Sequence, residues 1–226
     1  MLPNGVQAVN IGLAGFAEPI AAAGAAVLNL DWRPPANADP ELGMLIARLE
    51  DDPDDAIGAV VAAANRTALD RLLGASPFLV DVEPAGTAIP GLTGRMLLHS
   101  GPPIAWERMC GPMRGAAIGA SLFEGWASTP DEAEQLAERG EIAFDACHHH
   151  GAVGPMAGVV SPSMPVVVVE NTAAGNRSFA TLNEGLGKVL RFGAYDESVL
   201  DRLRWFRDTF GPTLSATLAV TGPIDL

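Results

Sequence analysis

Pro165-Val166-Val167-Val168-Val169-Glu170 is an unbroken β-branched run, the signature of a strand covered on both faces. Working outward, Phe78–Val82 and Arg95–His99 repeat the β-type texture. Between and beyond these runs lie Gly/Pro-rich loops and three helical patterns, at Arg114–Ala127, Asp131–Arg139 and Glu197–Ala219. Strands interleaved with helices predict an α/β or α+β fold, a mixed sheet flanked by helices.

Upstream, residues 1–38 read as a βαβ unit. Val6–Ile11 is a short apolar strand expected to be buried, and Gly12–Gly15 is a turn. An Ala-rich helix then leads to Gly24 and a second strand, Ala26–Leu30. A parallel pair joined this way sets Asp31, Trp32 and Arg33 at the carboxyl edge of the sheet, where α/β proteins hold ligands; a buried corner with a solvated exit loop is the plainer alternative.

Residues 39–75 form a small helical segment. Asp39-Pro40-Glu41 is a helix start, with Met44, Leu45 and Leu49 on one face. The acidic run Glu50–Asp55 separates it from a longer helix ending near Leu73. That run lacks the glycine and distal Glu of a calcium loop and reads as a solvated connection. Residues 76–226 form the motif-bearing α/β domain, and the three parts can pack as one globule.

Composition narrows the function. Among 226 residues, 14 Lys and Arg face 27 Asp and Glu, a net charge of −13. That balance argues against a nucleic-acid or anionic-membrane surface. Apolar residues make up 48%, so disorder is excluded as the general reading. Cys110 and Cys147 are too few for a disulfide framework and fit a reducing compartment. No basic residue precedes Arg33, and the apolar stretch Ala14–Leu30 is broken by Glu18, Pro19 and Asn29. A cytoplasmic protein with neither leader nor span is expected.

Three stretches carry candidate chemistry. The first, His99–Gly115, leaves a strand through Gly/Pro turns and opens a helix at Arg114. Backbone N–H groups at a helix start beside a guanidinium suit carboxylate or phosphate; the alternative is a turn in which Arg114 pairs with nearby acid such as Glu107. Cys110 reads as a packed thiol. The second, Cys147-His148-His149-His150, gathers three of the four histidines. On an extended segment His148 and His150 share a face while His149 points away. Proton transfer, metal binding and hydrogen-bonded structural roles all remain open, although no recognised metal-ligand spacing is present and no metal or cofactor is assigned. The third joins Asn176 and Arg177 to Asn183-Glu184-Gly185-Leu186-Gly187-Lys188 and Arg191. Lys188, the only lysine, neighbours Arg191 if the segment is helical. The spacing of a nucleotide P-loop is missing. The candidates are therefore His99, His148, His150 and Glu184 for catalysis, and Arg114, Asn176, Arg177, Asn183, Lys188 and Arg191 for binding a small planar anion.

Several of these strings are long and unusual: Asp31-Trp-Arg-Pro-Pro35, His99-Ser-Gly-Pro-Pro103, Met109-Cys-Gly-Pro-Met-Arg-Gly115, Leu122-Phe-Glu-Gly-Trp126, Cys147-His-His-His150, Gly154-Pro-Met-Ala-Gly158 and Leu182-Asn-Glu-Gly-Leu-Gly-Lys-Val-Leu-Arg-Phe-Gly193. They resemble the YahG/YlbE family, from about residue 6 to the C-terminus, and the chain looks like the N-terminal part of that architecture. The resemblance implies a mixed α/β fold and operation beside FdrA-like proteins, which resemble acyl-CoA synthetase subunits. It also implies a component of oxamate carbamoyltransferase, the role of the family member AllG in allantoin and purine-nitrogen catabolism. That enzyme interconverts oxalurate and phosphate with oxamate and carbamoyl phosphate. The family supplies no residue roles, so the site assignments rest on the chemistry of the residues themselves.

Two rivals accompany this reading: a non-catalytic module that orients an FdrA-like subunit, and a metal-dependent amidohydrolase built on the histidines. His99, His148 and His150 are expected to converge on one pocket faced by the Gly111–Gly115 helix start. Leu200, Leu203, Phe206 and Phe210 form an apolar helical stripe, from which a homo-oligomer or an FdrA-like partner is expected.

Overall fold

The structure, a computed structural model, describes residues 7–30, 39–51 and 56–226. Asp31–Arg33 and residues 52–55 of the acidic run lie outside the described residues. Two compact units make up the chain, Met1–Leu72 and Leu73–Leu226.

In the first unit, β1 (Gln7–Ile11) leads through a 3-10 turn at Ala14–Phe16 into α1 (Ala17–Ala22) and on to β2 (Ala26–Leu30). The strands are parallel, from Gln7 opposite Ala26 to Ile11 opposite Leu30, and Asn10 donates to Asn29 across the pair at 2.6 Å. The expected βαβ unit is present, but its strands are not buried. Val9 is 61% and Ile11 67% exposed, because one short helix cannot cover both faces of a two-stranded sheet. α2 (Pro40–Asp51) starts where Asp39 accepts the Glu41 and Leu42 N–H groups at 2.9 and 3.2 Å, and α3 (Ala56–Leu73) follows. Met44 and Leu45 of α2 are exposed.

The second unit carries, in order, β3 (Pro77–Pro84), α4 (Ala85–Ala88), β4 (Met96–His99), α5 (Gly111–Phe123), α6 (Pro130–Glu138) and β5 (Ala143–Ala146). Then come β6 (Ala152–Val153), β7 (Val159–Val160), β8 (Pro165–Asn171), β9 (Asn176–Thr181), α7 (Glu197–Trp205), α8 (Gly211–Thr221) and β10 (Ile224–Asp225). Two mixed sheets result, one ordered β10-β3-β8-β9-β6 and the other β5-β4-β7. Both contain one parallel pair, β6–β9 and β4–β5.

Period-two alternation explains the layering. On one face of the smaller sheet, Leu97 and Val159 join a core with Met113, Phe123, Leu200 and Phe206 from the helices. On the other face, Leu98 and Val160 meet Val166, Val168 and Phe179 of the larger sheet. The valine run is thus a central strand, with Val166 and Val168 sealed and Val167 and Val169 half-buried. Each sealed valine contributes about 1.5–3 kcal/mol of burial. α8 packs on β3, and Ser215 donates to Asp81 at 2.6 Å.

The stripe from which self-association was expected is consumed at home. Leu200, Leu203 and Phe206 are buried in the domain's own core, because α7 packs on α5. A π turn at Phe206–Phe210 then rotates Phe210 outward, where it stacks on half-exposed Trp205 at 5.1 Å.

Candidate active site

β6 and β9 run parallel, so their exits emerge at the same edge of the sheet. Val153-Gly154-Pro155 from β6 and Leu182-Asn183-Glu184 from β9 line a cleft of about 240 Å³, closed by Arg191. A void of about 20 Å³ shares the Pro155, Thr181, Leu182, Glu184 and Arg191 wall, room for roughly one water.

Arg191 is held on several sides. The Glu184 carboxylate accepts the backbone N–H groups of Leu190 and Arg191 at 2.6 and 3.1 Å, capping the 3-10 turn Leu190–Phe192. The Arg191 guanidinium donates to Asn183 Oδ1 at 3.2 Å and to the Gly185 carbonyl at 2.9 Å, and it lies over the Phe192 ring. Its Nε is buried with no hydrogen-bond partner. Glu184, read from the sequence as catalytic, spends both carboxylate oxygens on backbone N–H groups. The turn itself is set by α5. Gly115 packs against the Gly193 backbone, and a Cβ on Gly193, itself at φ +82°, would lie 2.8 Å from Pro112. The Gly-Pro-Met-Arg-Gly start of α5 is thus a docking surface for the Arg191 loop.

The other candidates are spread apart. Lys188 and Arg191 are not helical neighbours, because residues 183–189 form no helix; the Lys188 ammonium reaches Asp196 at 2.8 Å while Arg191 turns back to Asn183. The Asp196 carboxyl, held by Lys188 and Ser198, is lowered to about 2. Arg114 donates to the Glu107 carbonyl at 2.8 Å rather than to its carboxylate, and lies over Trp106. Arg177 forks onto Glu170 at 2.8 and 3.0 Å, and Asn176 Oδ1 accepts from Asn171.

The histidines occupy a 3-10 turn, Cys147–His150, and not an extended segment. Asp145, at the end of β5, organises it. Its Oδ1 accepts from His149 Nδ1 and from the Ala146 N–H, each at 2.7 Å, and its Oδ2 accepts from His150 Nε2 at 3.0 Å. These contacts, His149 foremost, hold the Asp145 carboxyl well below the usual carboxylate range. The sequence reading missed Asp145; its place four residues before His149 is the signal that could have found it. His148 lies edge-on to His149, ring centroids 4.4 Å apart.

His99 does not join this cluster. In the parallel pair Leu98 lies opposite Asp145 and His99 opposite Ala146, so the His99 and Asp145 side chains leave opposite faces of the sheet. His99 is fully buried; its Nδ1 donates to the Ser100 carbonyl at 3.0 Å and its Nε2 has no partner. The Ser100 hydroxyl donates to Pro155 at 3.0 Å, tying this strand exit to the cleft wall. Cys147, buried beneath Gly154, has its thiol pushed up to about 11 by burial, which makes it inert at neutral pH. Among the described residues no group of three or more His, Cys, Asp or Glu side chains converges to hold a metal ion.

His150 yields a pH prediction. Its Nδ1 faces the Pro90 carbonyl at 2.9 Å and its Nε2 faces Asp145, both acceptors, so both nitrogens must donate. The Pro90 carbonyl chiefly, with Asp145 adding and burial opposing, raises its pKa above 6.5. The resulting stabilisation is complete below 6.5 and is lost as pH rises through the folded value. The unfolding free-energy difference between wild type and His150→Gln should therefore shrink as pH rises above 6.5. A difference constant with pH would contradict the clamp.

A sequence model described as "Oxamate carbamoyltransferase subunit AllG" matches residues 142–226, which hold the histidine turn, Asp145, Asn183, Glu184 and Arg191. The chain is 42% identical to "Uncharacterized protein YahG" of Escherichia coli K12 over 221 residues, 98% of this chain and 46% of YahG. It is 53% identical over 159 residues to "Oxamate carbamoyltransferase subunit AllG" of the same organism, 70% of this chain and 38% of AllG. The chain belongs to the YahG/AllG-like family. It spans less than half the length of either curated relative. The crystal structure of a conserved protein of unknown function from Enterococcus faecalis V583 superposes with a TM-score of 0.70 at 48% identity, over 73% of this chain and 40% of that one. No helix among the described residues is long and apolar enough to cross a membrane.

Proposed function

We propose that this chain supplies the anion-binding part of a cytoplasmic oxamate carbamoyltransferase-type enzyme, interconverting oxalurate and phosphate with oxamate and carbamoyl phosphate. The observation that carries the reading is the cleft where the β6 and β9 exits meet Arg191. A guanidinium preset by Asn183, Gly185 and the Glu184-capped turn suits a carboxylate or phosphoryl oxygen. Carbamoyl transfer needs such a cation to orient one anion against the other and to stabilise charge on the departing phosphate. The naming of AllG and of its family as a carbamoyltransferase subunit supports the same chemistry.

A second reading, a module that orients an FdrA-like subunit, is favoured by the exposed Trp205–Phe210 pair, an apolar surface beside the paired Arg207 and Asp208. One assay separates the two. Phosphate-dependent oxalurate cleavage is measured with the assembled partners present, with and without chelator, using wild type and Arg191→Ala. Carbamoyl transfer at this cleft predicts chelator-resistant activity that Arg191→Ala abolishes. The orienting role predicts activity that survives Arg191→Ala and falls with Trp205→Ala.

A further inference from the structure

We propose that His149 is the proton-transferring residue of this protein and that Asp145 is its positioning residue. The assignment comes from comparing the four histidines. His99 is sealed in the core, with its Nδ1 spent on the neighbouring carbonyl. His150 has both ring nitrogens engaged, on Pro90 and Asp145, and has none left for a substrate. His148 lies against the His149 ring and has no hydrogen bond among the described residues to fix its tautomer.

His149 alone combines orientation with access. Its Nδ1 faces Asp145 at 2.7 Å, which in the neutral ring fixes the tautomer with the lone pair on Nε2, and its side chain is 46% exposed. A carboxylate on Nδ1 with a free Nε2 is the pairing that orients a histidine base and stabilises the imidazolium it becomes. Asp145 is in turn fixed by the Ala146 N–H and by the locked His150, so it cannot swing away. The reason for three consecutive histidines is then a division of labour: His150 anchors the carboxylate and the carboxylate aims His149. His149 is the one histidine of the turn that an extended reading directs away from the site.

The role rests on the carbamoyl-transfer reading above. In that step the oxamate amide nitrogen attacks the carbamoyl carbon. The new N–C bond forms as the C–O bond to phosphate breaks. The nitrogen proton passes to His149 Nε2 and on to the departing phosphate, giving oxalurate and hydrogen phosphate with atoms and charge balanced; the step requires the reacting pair to extend from the Arg191 cleft to the histidine turn.

The test uses the assembled enzyme with its partners. His149→Gln should lower kcat by about 10²-fold or more, leave the affinity for inorganic phosphate unchanged, and remove the falling acid limb of the pH–rate profile. His148→Gln should stay near wild type. Asp145→Asn should lower kcat and shift the His149 tautomer, read by nitrogen NMR of the ring. Unimpaired His149→Gln beside an active wild type overturns the His149 assignment alone. A wild-type assembly with no phosphate-dependent oxalurate cleavage removes the parent reading and this role with it.

Discussion

Gly115→Ala is expected to cost about 3 kcal/mol or more and to lower the urea midpoint of the second unit by roughly 1–3 M. The new Cβ would collide with the Gly193 carbonyl oxygen and lie 2.9 Å from the Gly193 Cα. Both atoms are backbone, so neither can rotate aside. Gly193 is itself confined, because it sits at φ +82° and packs closely on the Pro112 backbone of the same helix start. Gly111→Ala is the control. It lies at the start of the same helix with nothing within 4 Å of the added carbon, and should change stability by about 0.5 kcal/mol at most. Equal midpoints for the two variants would show that α5 and the Arg191 loop are not locked together.

The second large effect is on ligand. Arg191→Ala should weaken binding of inorganic phosphate or oxamate by roughly 10²-fold, since each charge-assisted hydrogen bond is worth about 1.5–3 kcal/mol and at least two are lost. The fold should survive, because Glu184 still accepts the backbone N–H groups at 190 and 191. Glu184→Gln should fall between the two. A carboxamide oxygen can keep one of those bonds without the charge, so Arg191 remains but is less firmly aimed. Calorimetric titration of the assembled protein with phosphate reads all three, and unchanged affinity in Arg191→Ala would remove the cleft as the anion site.

Much of the fold was legible because it rests on short-range rules. The β-branched run at 166–169 specified a central strand, Asp39 specified a helix start, and the Gly-bounded apolar runs at 7–11 and 26–30 specified a βαβ unit. The site was legible only by residue type. Asn183 and Arg191 do meet at one cleft, yet Lys188, Arg177 and Arg114 pair with the protein itself. Spacing could not tell them apart, because a guanidinium looks the same in sequence whether a carboxylate of the fold or a ligand will occupy it.

By itself the sequence determined the elements, the mixed α/β class and the family, all of which depend on neighbours along the chain or on long unusual motifs. Tertiary structure alone decided which polar groups converge. Strand register sends His99 and Asp145 to opposite faces of one sheet although they lie on paired strands. A 3-10 turn, and not an extended segment, brings His149 and His150 to a shared carboxylate. Burial of Leu200, Leu203 and Phe206 against α5 absorbed a stripe that sequence periodicity could only mark as apolar. The reason is physical: periodicity records which side of an element is apolar or polar, while partner and direction are set by register and packing between residues far apart in the chain.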